Sequence, residues 1–264
     1  MIESLNANEF LAVEPTLSWG GLSTAIRAPT KAVLFDLDGT LVNSIRIFPQ
    51  LIVQEFFPVS KPNAIQIRNY LKRLGKFYNS GRRHSWFKMN LFRAIREDFS
   101  LSWYNFLRGM MRAVWQFYQW DKDLHVFPNV PQTLQKLKKR GYLLGIVTNG
   151  SPYLLRKRFA PYLSLFDVLV DSKSIGARKP SPIPLQIAIK KLGVTKEEAV
   201  FVGDTLVDLL AAKEAEISII LVKTGVFSNY FPSIGYTPLA VVSSVGDDLF
   251  QAITARRTNR DVES

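Results

Sequence analysis

Two carboxylates separated by one residue, Asp36 and Asp38, form the first segment of the chain that could carry out a reaction. In extended backbone, side chains at positions i and i+2 project to the same side, so both carboxylates can face one substrate atom. One carboxylate can attack phosphorus to form an aspartyl phosphate, and the other carboxyl group can protonate the leaving oxygen and later activate water. Asp36 is therefore the candidate nucleophile and Asp38 the candidate acid and base.

A second segment, Thr148-Asn149-Gly150, offers hydrogen-bond donors to an anion. Ser151 is a favoured N-cap residue and Pro152 a favoured first helical residue, so a helix is expected to begin here. A hydroxyl and backbone N–H groups at a helix N-terminus stabilise a phosphate oxygen. The segment thus predicts a phosphate-binding site that needs no glycine-rich loop.

A lysine and two further aspartates complete the set of candidate site residues. Lys179 precedes Pro180, which keeps it out of helical geometry, and a fixed ammonium there would offset negative charge on the nucleophile and on a transferring phosphoryl group. Asp204 and Asp208 lie one helical turn apart and could bind or orient a hard cation, for which Mg2+ is suited because it takes oxygen ligands. Asp208 also has the simpler interpretation of an acid in the first turn of a helix, favoured by the helix dipole.

The elements that must position these residues form an alternating α/β pattern. Short apolar runs predict buried strands at residues 31–35, 142–147, 168–170, 199–202 and 217–222. Apolar spacing and glycine punctuation predict helices at residues 132–140, 151–159, 184–192 and 206–214. This alternation predicts a doubly wound, Rossmann-like parallel sheet, in which ligands bind beyond the carboxyl ends of the strands.

One long insertion interrupts the pattern between residues 42 and 125, where apolar residues recur at helical spacing. The stripes at 67–74 and 103–118 predict an all-helical module of three or four helices, and its aromatics, Trp103 and Trp115 among them, are expected to be core residues first of all. The predicted organisation is an N-terminal extension (1–28), a core (29–41 and 126–250), a helical cap (42–125) and a polar C-terminal tail (251–264).

Composition excludes several classes of protein. The 264 residues include no cysteine, which rules out a disulfide scaffold, a thiolate zinc site and a cysteine nucleophile. The first 28 residues hold three glutamates and one arginine, unlike a secretory signal or a transit peptide, and no apolar run approaches the roughly 18 to 20 residues of a membrane span. We therefore expect a cytoplasmic protein with no membrane partner.

The charge of the chain indicates an anionic ligand or partner. The formal net charge is +12, and residues 42–125 contribute 14 basic against 5 acidic residues. This surplus favours a phosphorylated small-molecule substrate, a polyanionic substrate, or an acidic protein that docks on the cap. A nucleic-acid partner is not favoured, because no zinc finger, helix-turn-helix or RNP pattern occurs.

The four segments, in this order, resemble the haloacid dehalogenase (HAD) superfamily, and specifically its phosphoglycolate phosphatase-like branch. The matching residues are Asp36-Leu-Asp-Gly-Thr40, Thr148-Asn149, Lys179 before proline and Gly203-Asp204-Thr-Leu-Val-Asp208. The resemblance covers residues 29–250 and implies a Mg2+-dependent phosphohydrolase that is phosphorylated on Asp36, with a helical C1-type cap.

The resemblance also implies roles for individual residues. Asp36, the carbonyl of Asp38 and Asp204 would hold Mg2+, and Asp208 would support the metal shell or Lys179. The expected metal ligands are therefore Asp36, Asp38, Asp204 and Asp208; the expected catalytic residues are Asp36, Asp38 and Lys179; the expected substrate-binding residues are Thr148, Asn149, Gly150 and Lys179.

Two alternatives to a phosphatase remain open from the sequence. A β-phosphoglucomutase-like phosphotransferase keeps all four segments, whereas Asp38 argues against a dehalogenase or a phosphonatase of the same superfamily. A catalytically silent HAD-fold protein that binds an anionic partner would be free to lose one carboxylate, and none is missing. Asn43 stands where the branch has aspartate, which leaves the identity of the phosphorylated substrate open.

Overall fold

The computed structural model describes residues 28–43, 96–97, 101–120, 126–150, 159–225 and 236–258. In these ranges six strands form one parallel sheet: β1 (Ala32–Phe35), β2 (Leu143–Thr148), β3 (Val168–Asp171), β4 (Ala199–Gly203), β5 (Ser218–Val222) and β6 (Ala240–Val242). Their order across the sheet is β3-β2-β1-β4-β5-β6. The chain moves outward in both directions from the central strands, so the doubly wound α/β fold expected from the sequence is confirmed.

The helices of the described ranges are α1 (Trp103–Trp120), α2 (Val130–Lys139), α3 (Ser172–Ile175), α4 (Ile183–Leu192), α5 (Leu206–Ala215) and α6 (Asp247–Thr258), with a 3-10 helix at Ala160–Leu165. The predicted core helices and strands that fall within these ranges agree with the observed ones to within about two residues. None of the described helices has both the length and the apolar character that crossing a membrane would require.

Both faces of the sheet are buried, as strand β1 illustrates. Its residues alternate between two apolar clusters: Val33 and Phe35 face α2 and α6, whereas Ala32 and Leu34 face α4 and α5. All four side chains are fully buried. Burial of each large apolar side chain stabilises the fold by roughly 1.5–3 kcal/mol, which fixes the strand ends that carry the polar residues.

The core continues beyond residue 250, where the sequence predicted a polar tail. Helix α6 extends to Thr258, and Leu249 and Ile253 are fully buried against the sheet. These two residues are one helical turn apart, so two apolar positions are enough to dock the helix although most of its other side chains are polar. The strand β6 was also not predicted, because its three residues are too few to show a period.

Helix α1 lies where the sequence predicted a helix of the cap, but two of its aromatics are not core residues. Phe106 is buried, whereas Trp103 and Trp115 are each 63% exposed. The prediction was wrong for these two tryptophans because apolar residues surround most of the helix, so periodicity cannot say which side is covered. The predicted stripe at 67–74 and the predicted helix segment at 151–158 lie outside the described residues.

The two ends of the predicted cap insertion lie side by side. Val42 and Val126 form an antiparallel bridge, and the N–H of Phe127 donates to the carbonyl of Leu41 (3.0 Å). The chain therefore leaves the sheet just after β1 and returns at the same place, four residues before α2. This arrangement is what an insertion into a continuous α/β core requires.

Candidate active site

The carboxyl ends of the central strands bring the predicted site residues together. Asp36 directly follows β1, and its N–H donates to the carbonyl of Val202 in the adjacent β4 (2.8 Å). Asp204 directly follows β4, so parallel pairing of β1 with β4 places both carboxylates at one edge of the sheet. Asp36, Lys179, Asp204 and Asp208 are all buried.

Lys179 lies at the centre of this cluster. Its Nζ donates to Oδ1 of Asp36 and to Oδ1 of Asp208, each at 2.6 Å. The ring of Phe201 in β4 lies 5.1 Å from Nζ, measured to the ring centroid. A buried ammonium is strongly disfavoured unless it is paired, so these two carboxylates and the aromatic ring are what keep Lys179 charged in the interior.

The electrostatics of the cluster favour the addition of positive charge. Burial raises the pKa of Asp36 to about 7, an effect that Lys179 opposes and Asp208 increases. Burial likewise raises the pKa of Asp204 well above its usual range, with Asp208 and Asp36 adding to the effect. For Lys179, burial works against the charge, but Asp208 and Asp36 outweigh it and raise the pKa above its ordinary value.

Three carboxylates could together hold a metal ion. Asp36, Asp204 and Asp208 each offer an oxygen, and these oxygens lie within 4.8 Å of one another. Thr40 donates to Oδ1 of Asp204 (3.2 Å), whereas Oδ2 of Asp204 is buried and has no hydrogen-bond partner among the described residues. Because a buried, unpartnered carboxylate oxygen is costly and Mg2+ prefers such oxygens, the residues present fit this metal.

Two glycines form a cradle around Asp204. A Cβ atom at Gly39, where φ is +89°, would lie 2.4 Å from Oδ2 of Asp204, and a Cβ at Gly225 would lie 1.7 Å from the same oxygen. The hydroxyl of Thr224 donates to the carbonyl of Gly39 (2.6 Å), which ties the loop after β5 to the loop after β1. Sequence reasoning missed Thr224 and Gly225; their position just past the carboxyl end of a predicted strand was the available signal.

We expect Gly225→Ala to disrupt the Asp204 carboxylate. The new methyl group must displace Oδ2 of Asp204, so unfolding should become easier by about 1–3 kcal/mol and activity should fall at least about tenfold. Gly246→Ala is the matched control, because its Cβ would meet nothing closer than 3.4 Å and neither glycine has a positive φ. Thermal unfolding and initial rates measure both effects; equal behaviour of the two variants would contradict the proposed cradle.

Asp208 has two structural roles at once. Its Oδ2 accepts from the N–H and the hydroxyl of Thr205 (3.0 and 2.6 Å), and the N–H of Asp208 in turn donates to the Thr205 hydroxyl, which makes a capping box at the start of α5. Its Oδ1 accepts from Lys179. The Thr-x-x-Asp spacing is a known capping signal, and it accounts for the first-turn position of Asp208. Capping and the contact with Lys179 are therefore compatible.

At the end of β2, the structure brings Thr148 and Gly150 close to Asp38. The N–H of Gly150 donates to Oγ1 of Thr148 (2.8 Å), and a Cβ at Gly150 would lie 2.7 Å from Oδ2 of Asp38. Asp38 itself is half-buried, so it is more accessible than Asp36. The side chain of Asn149, in contrast, is hydrogen-bonded to the backbone of Lys179. Ser151 and Pro152 lie outside the described residues.

By sequence, the known proteins that this chain resembles are hydrolases. A family model for haloacid dehalogenase-like hydrolases matches residues 30–216. A phosphoglycolate phosphatase of Pasteurella multocida is 30% identical over 200 residues, which cover 72% of this chain and 84% of that protein. The pyrophosphatase PpaX of Bacillus cereus is 29% identical over 190 residues, covering 69% and 78%.

A solved structure described as a predicted phosphoglycolate phosphatase from Haemophilus somnus superimposes with a TM-score of 0.60. Its sequence is 22% identical, and the match covers 83% of this chain and 96% of that one. At this identity the likeness shows a shared fold.

Proposed function

Since the chain belongs to the haloacid dehalogenase-like hydrolase family, we propose that it releases inorganic phosphate from a small phosphate monoester with Asp36 as the nucleophile. The observation that carries this proposal is the buried ammonium of Lys179, which contacts both Asp36 and Asp208 at 2.6 Å. Such a group neutralises part of the charge that would otherwise repel a phosphate from the Asp36 carboxylate.

In the proposed reaction, two aspartates divide the chemistry. The Asp36 carboxylate attacks phosphorus, the bond from phosphorus to the ester oxygen breaks, and Asp38 donates a proton to that leaving oxygen. Asp38 then takes a proton from water, which attacks the aspartyl phosphate and regenerates the Asp36 carboxylate. The half-buried position of Asp38 supports this role, because the leaving alcohol and the attacking water must both be able to reach its carboxyl group.

Mg2+ is the metal that we propose for the carboxylate cluster. Asp36, Asp204 and the backbone carbonyl of Asp38 would hold it, and it would supply positive charge to the phosphoryl oxygens. Asp208 is assigned instead to holding Lys179, because Oδ1 already accepts from Lys179 and Oδ2 accepts from Thr205. This assignment narrows the sequence-based expectation, in which Asp208 was one of four metal ligands.

The proposed substrates are small and carry more than one negative charge. Proteins similar to this chain are named for phosphoglycolate and pyrophosphate hydrolysis, and the segment 42–125 contributes much of the positive charge of the chain. Such a surplus of positive charge would attract these substrates in preference to neutral molecules. Phosphoglycolate, pyrophosphate and sugar phosphates are therefore the first compounds to test.

The proposed function is tested by phosphate release from a panel of these compounds and an activated aryl phosphate, with Mg2+ and with a chelator. We expect release with Mg2+ and loss of at least about 100-fold of the rate with the chelator. Absence of phosphate release from every compound, by protein that is folded and loaded with Mg2+, would overturn the proposal.

Binding of Mg2+ to the free protein should depend on pH. The pKa of Asp36 is raised to about 7 by burial, so the carboxyl group is mostly protonated at pH 6 and mostly ionised at pH 8. Because a metal ligand must lose its proton, and the pKa of Asp204 is raised as well, we expect Mg2+ affinity to be at least about tenfold weaker at pH 6 than at pH 8. Calorimetry in two buffers of different ionisation enthalpy counts the protons released; an affinity that does not change with pH would contradict the prediction.

A further inference from the structure

The side-chain amide of Asn149 makes two hydrogen bonds to the backbone of Lys179, one as donor and one as acceptor. Its Nδ2 donates to the Lys179 carbonyl, and its Oδ1 accepts from the Lys179 N–H, each at 2.9 Å. Two residues that face each other in antiparallel strands can exchange hydrogen bonds in this way. Here the Asn149 side chain takes the place of one of the two backbones. One carboxamide thus satisfies both polar backbone groups of a single residue.

Asn149 is itself fixed to the sheet. It directly follows Thr148, the last residue of β2, which is in register with Asp171 at the end of β3. The hydroxyl of Ser172, the next residue after β3, donates to the carbonyl of Asn149 (3.2 Å). The backbone from which the amide extends is therefore held by two neighbouring strands.

Lys179 needs such an anchor because its own segment has little regular structure. It lies between α3 and α4, in a turn closed by a hydrogen bond from the N–H of Ser181 to the carbonyl of Arg178 (3.0 Å). Its long side chain must nevertheless place Nζ at 2.6 Å from both Asp36 and Asp208. A displacement of about 1 Å at a catalytic group can lower a rate about 100-fold, so the position of this backbone matters.

We propose that Asn149 is a positioning residue that sets the location of the Lys179 ammonium, and that its side chain does not bind the substrate. The proposal rests on the proposed phosphatase function and assigns Asn149 a role different from the substrate contact expected from the sequence. The amide acts through the Lys179 backbone, so its loss should impair the chemical step more than the binding of phosphate ester.

Two variants of Asn149 separate positioning from substrate contact. Asn149→Asp keeps the acceptor for the Lys179 N–H but loses the donor, and Asn149→Ala loses both. We expect kcat to fall about tenfold in Asn149→Asp and about 100-fold in Asn149→Ala, with KM within about threefold of wild type in both. If the side chain bound substrate, the new carboxylate would repel the phosphate, and KM would rise far more in Asn149→Asp than in Asn149→Ala.

Asn129→Ala is the matched control. Asn129 is at the N-cap position of α2, where its side chain makes no capping hydrogen bond, so kcat and KM should stay at wild-type values. A KM increase larger in Asn149→Asp than in Asn149→Ala would overturn the proposal, and so would unchanged kcat in both variants. These outcomes can be told apart from failure of the proposed phosphatase function, because in that case the wild-type protein itself would release no phosphate.

Discussion

Asp36→Asn should abolish phosphate release, with kcat lowered by about 10,000-fold or more, while the protein stays folded. An amide oxygen can still accept the hydrogen bond from Lys179, but the amide cannot act as a nucleophile toward phosphorus. Initial rates with Mg2+ and the best substrate of the panel measure the loss. Rapid acid quenching of wild-type turnover should in addition trap phosphate on the protein, and the variant should trap none.

Asp247→Asn is the matched control for Asp36→Asn. Asp247 makes an exposed ion pair with Lys136 at the start of α6, and the substitution there is chemically the same. Exposed ion pairs contribute about 0–1 kcal/mol, so both stability and kcat should stay close to wild type. Survival of phosphatase activity in Asp36→Asn would show that the nucleophile has been assigned to the wrong residue.

Lys179→Met should damage both stability and catalysis. The substitution keeps an unbranched side chain, shorter by one heavy atom, but removes the only ammonium that contacts Asp36 and Asp208 in the described residues. Two buried carboxylates are then left without their partner, which costs about 3 kcal/mol or more of unfolding free energy. We also expect kcat to fall at least about 1,000-fold, because the ammonium that offsets charge on the Asp36 nucleophile is lost.

The loss of stability in Lys179→Met should depend on pH in a defined direction. Lys179 lowers the pKa of Asp36 in the wild type, so its removal raises that pKa further above the value in the unfolded chain. A carboxyl group with a raised folded-state pKa takes up its proton more readily in the folded protein, so the variant should recover stability as the pH falls from 8 to 5.

Denaturant unfolding of Lys179→Met at several pH values measures this effect. Lys138→Met is the control, because Lys138 pairs with Asp167 near the surface and should change stability by less than about 1 kcal/mol at any of these pH values. The prediction would be contradicted if Lys179→Met lost as little unfolding free energy relative to wild type as the control does. It would also be contradicted if that loss grew as the pH falls.

Much of the fold could be predicted because it depends on short-range patterns. The apolar runs of β1, β2, β4 and β5 are buried on both faces, so they are visible without knowledge of any neighbour. Where the pattern was weak, prediction failed: β6 has three residues, and α6 docks through few apolar side chains. For Trp103 and Trp115 the helix was predicted, but not the side that is exposed, because that depends on what packs against it.

The candidate site likewise has features that the sequence predicts and features that only the structure shows. The sequence by itself determined which residue types stand at the strand ends, because a parallel sheet places all its carboxyl ends on one edge and Asp36 and Asp204 directly follow β1 and β4. The burial of Asp36 and Asp204, in contrast, is seen only in the structure.

Only the tertiary structure decided how these residues share their contacts. It shows that Lys179 contacts Asp208 as well as Asp36, that the Asn149 amide pairs with the Lys179 backbone, and that Gly225 packs on Asp204. The partners in these contacts lie 21 to 143 residues apart in the chain. Their distances depend on the register and twist with which the strand ends converge, and no local pattern of residues encodes that geometry.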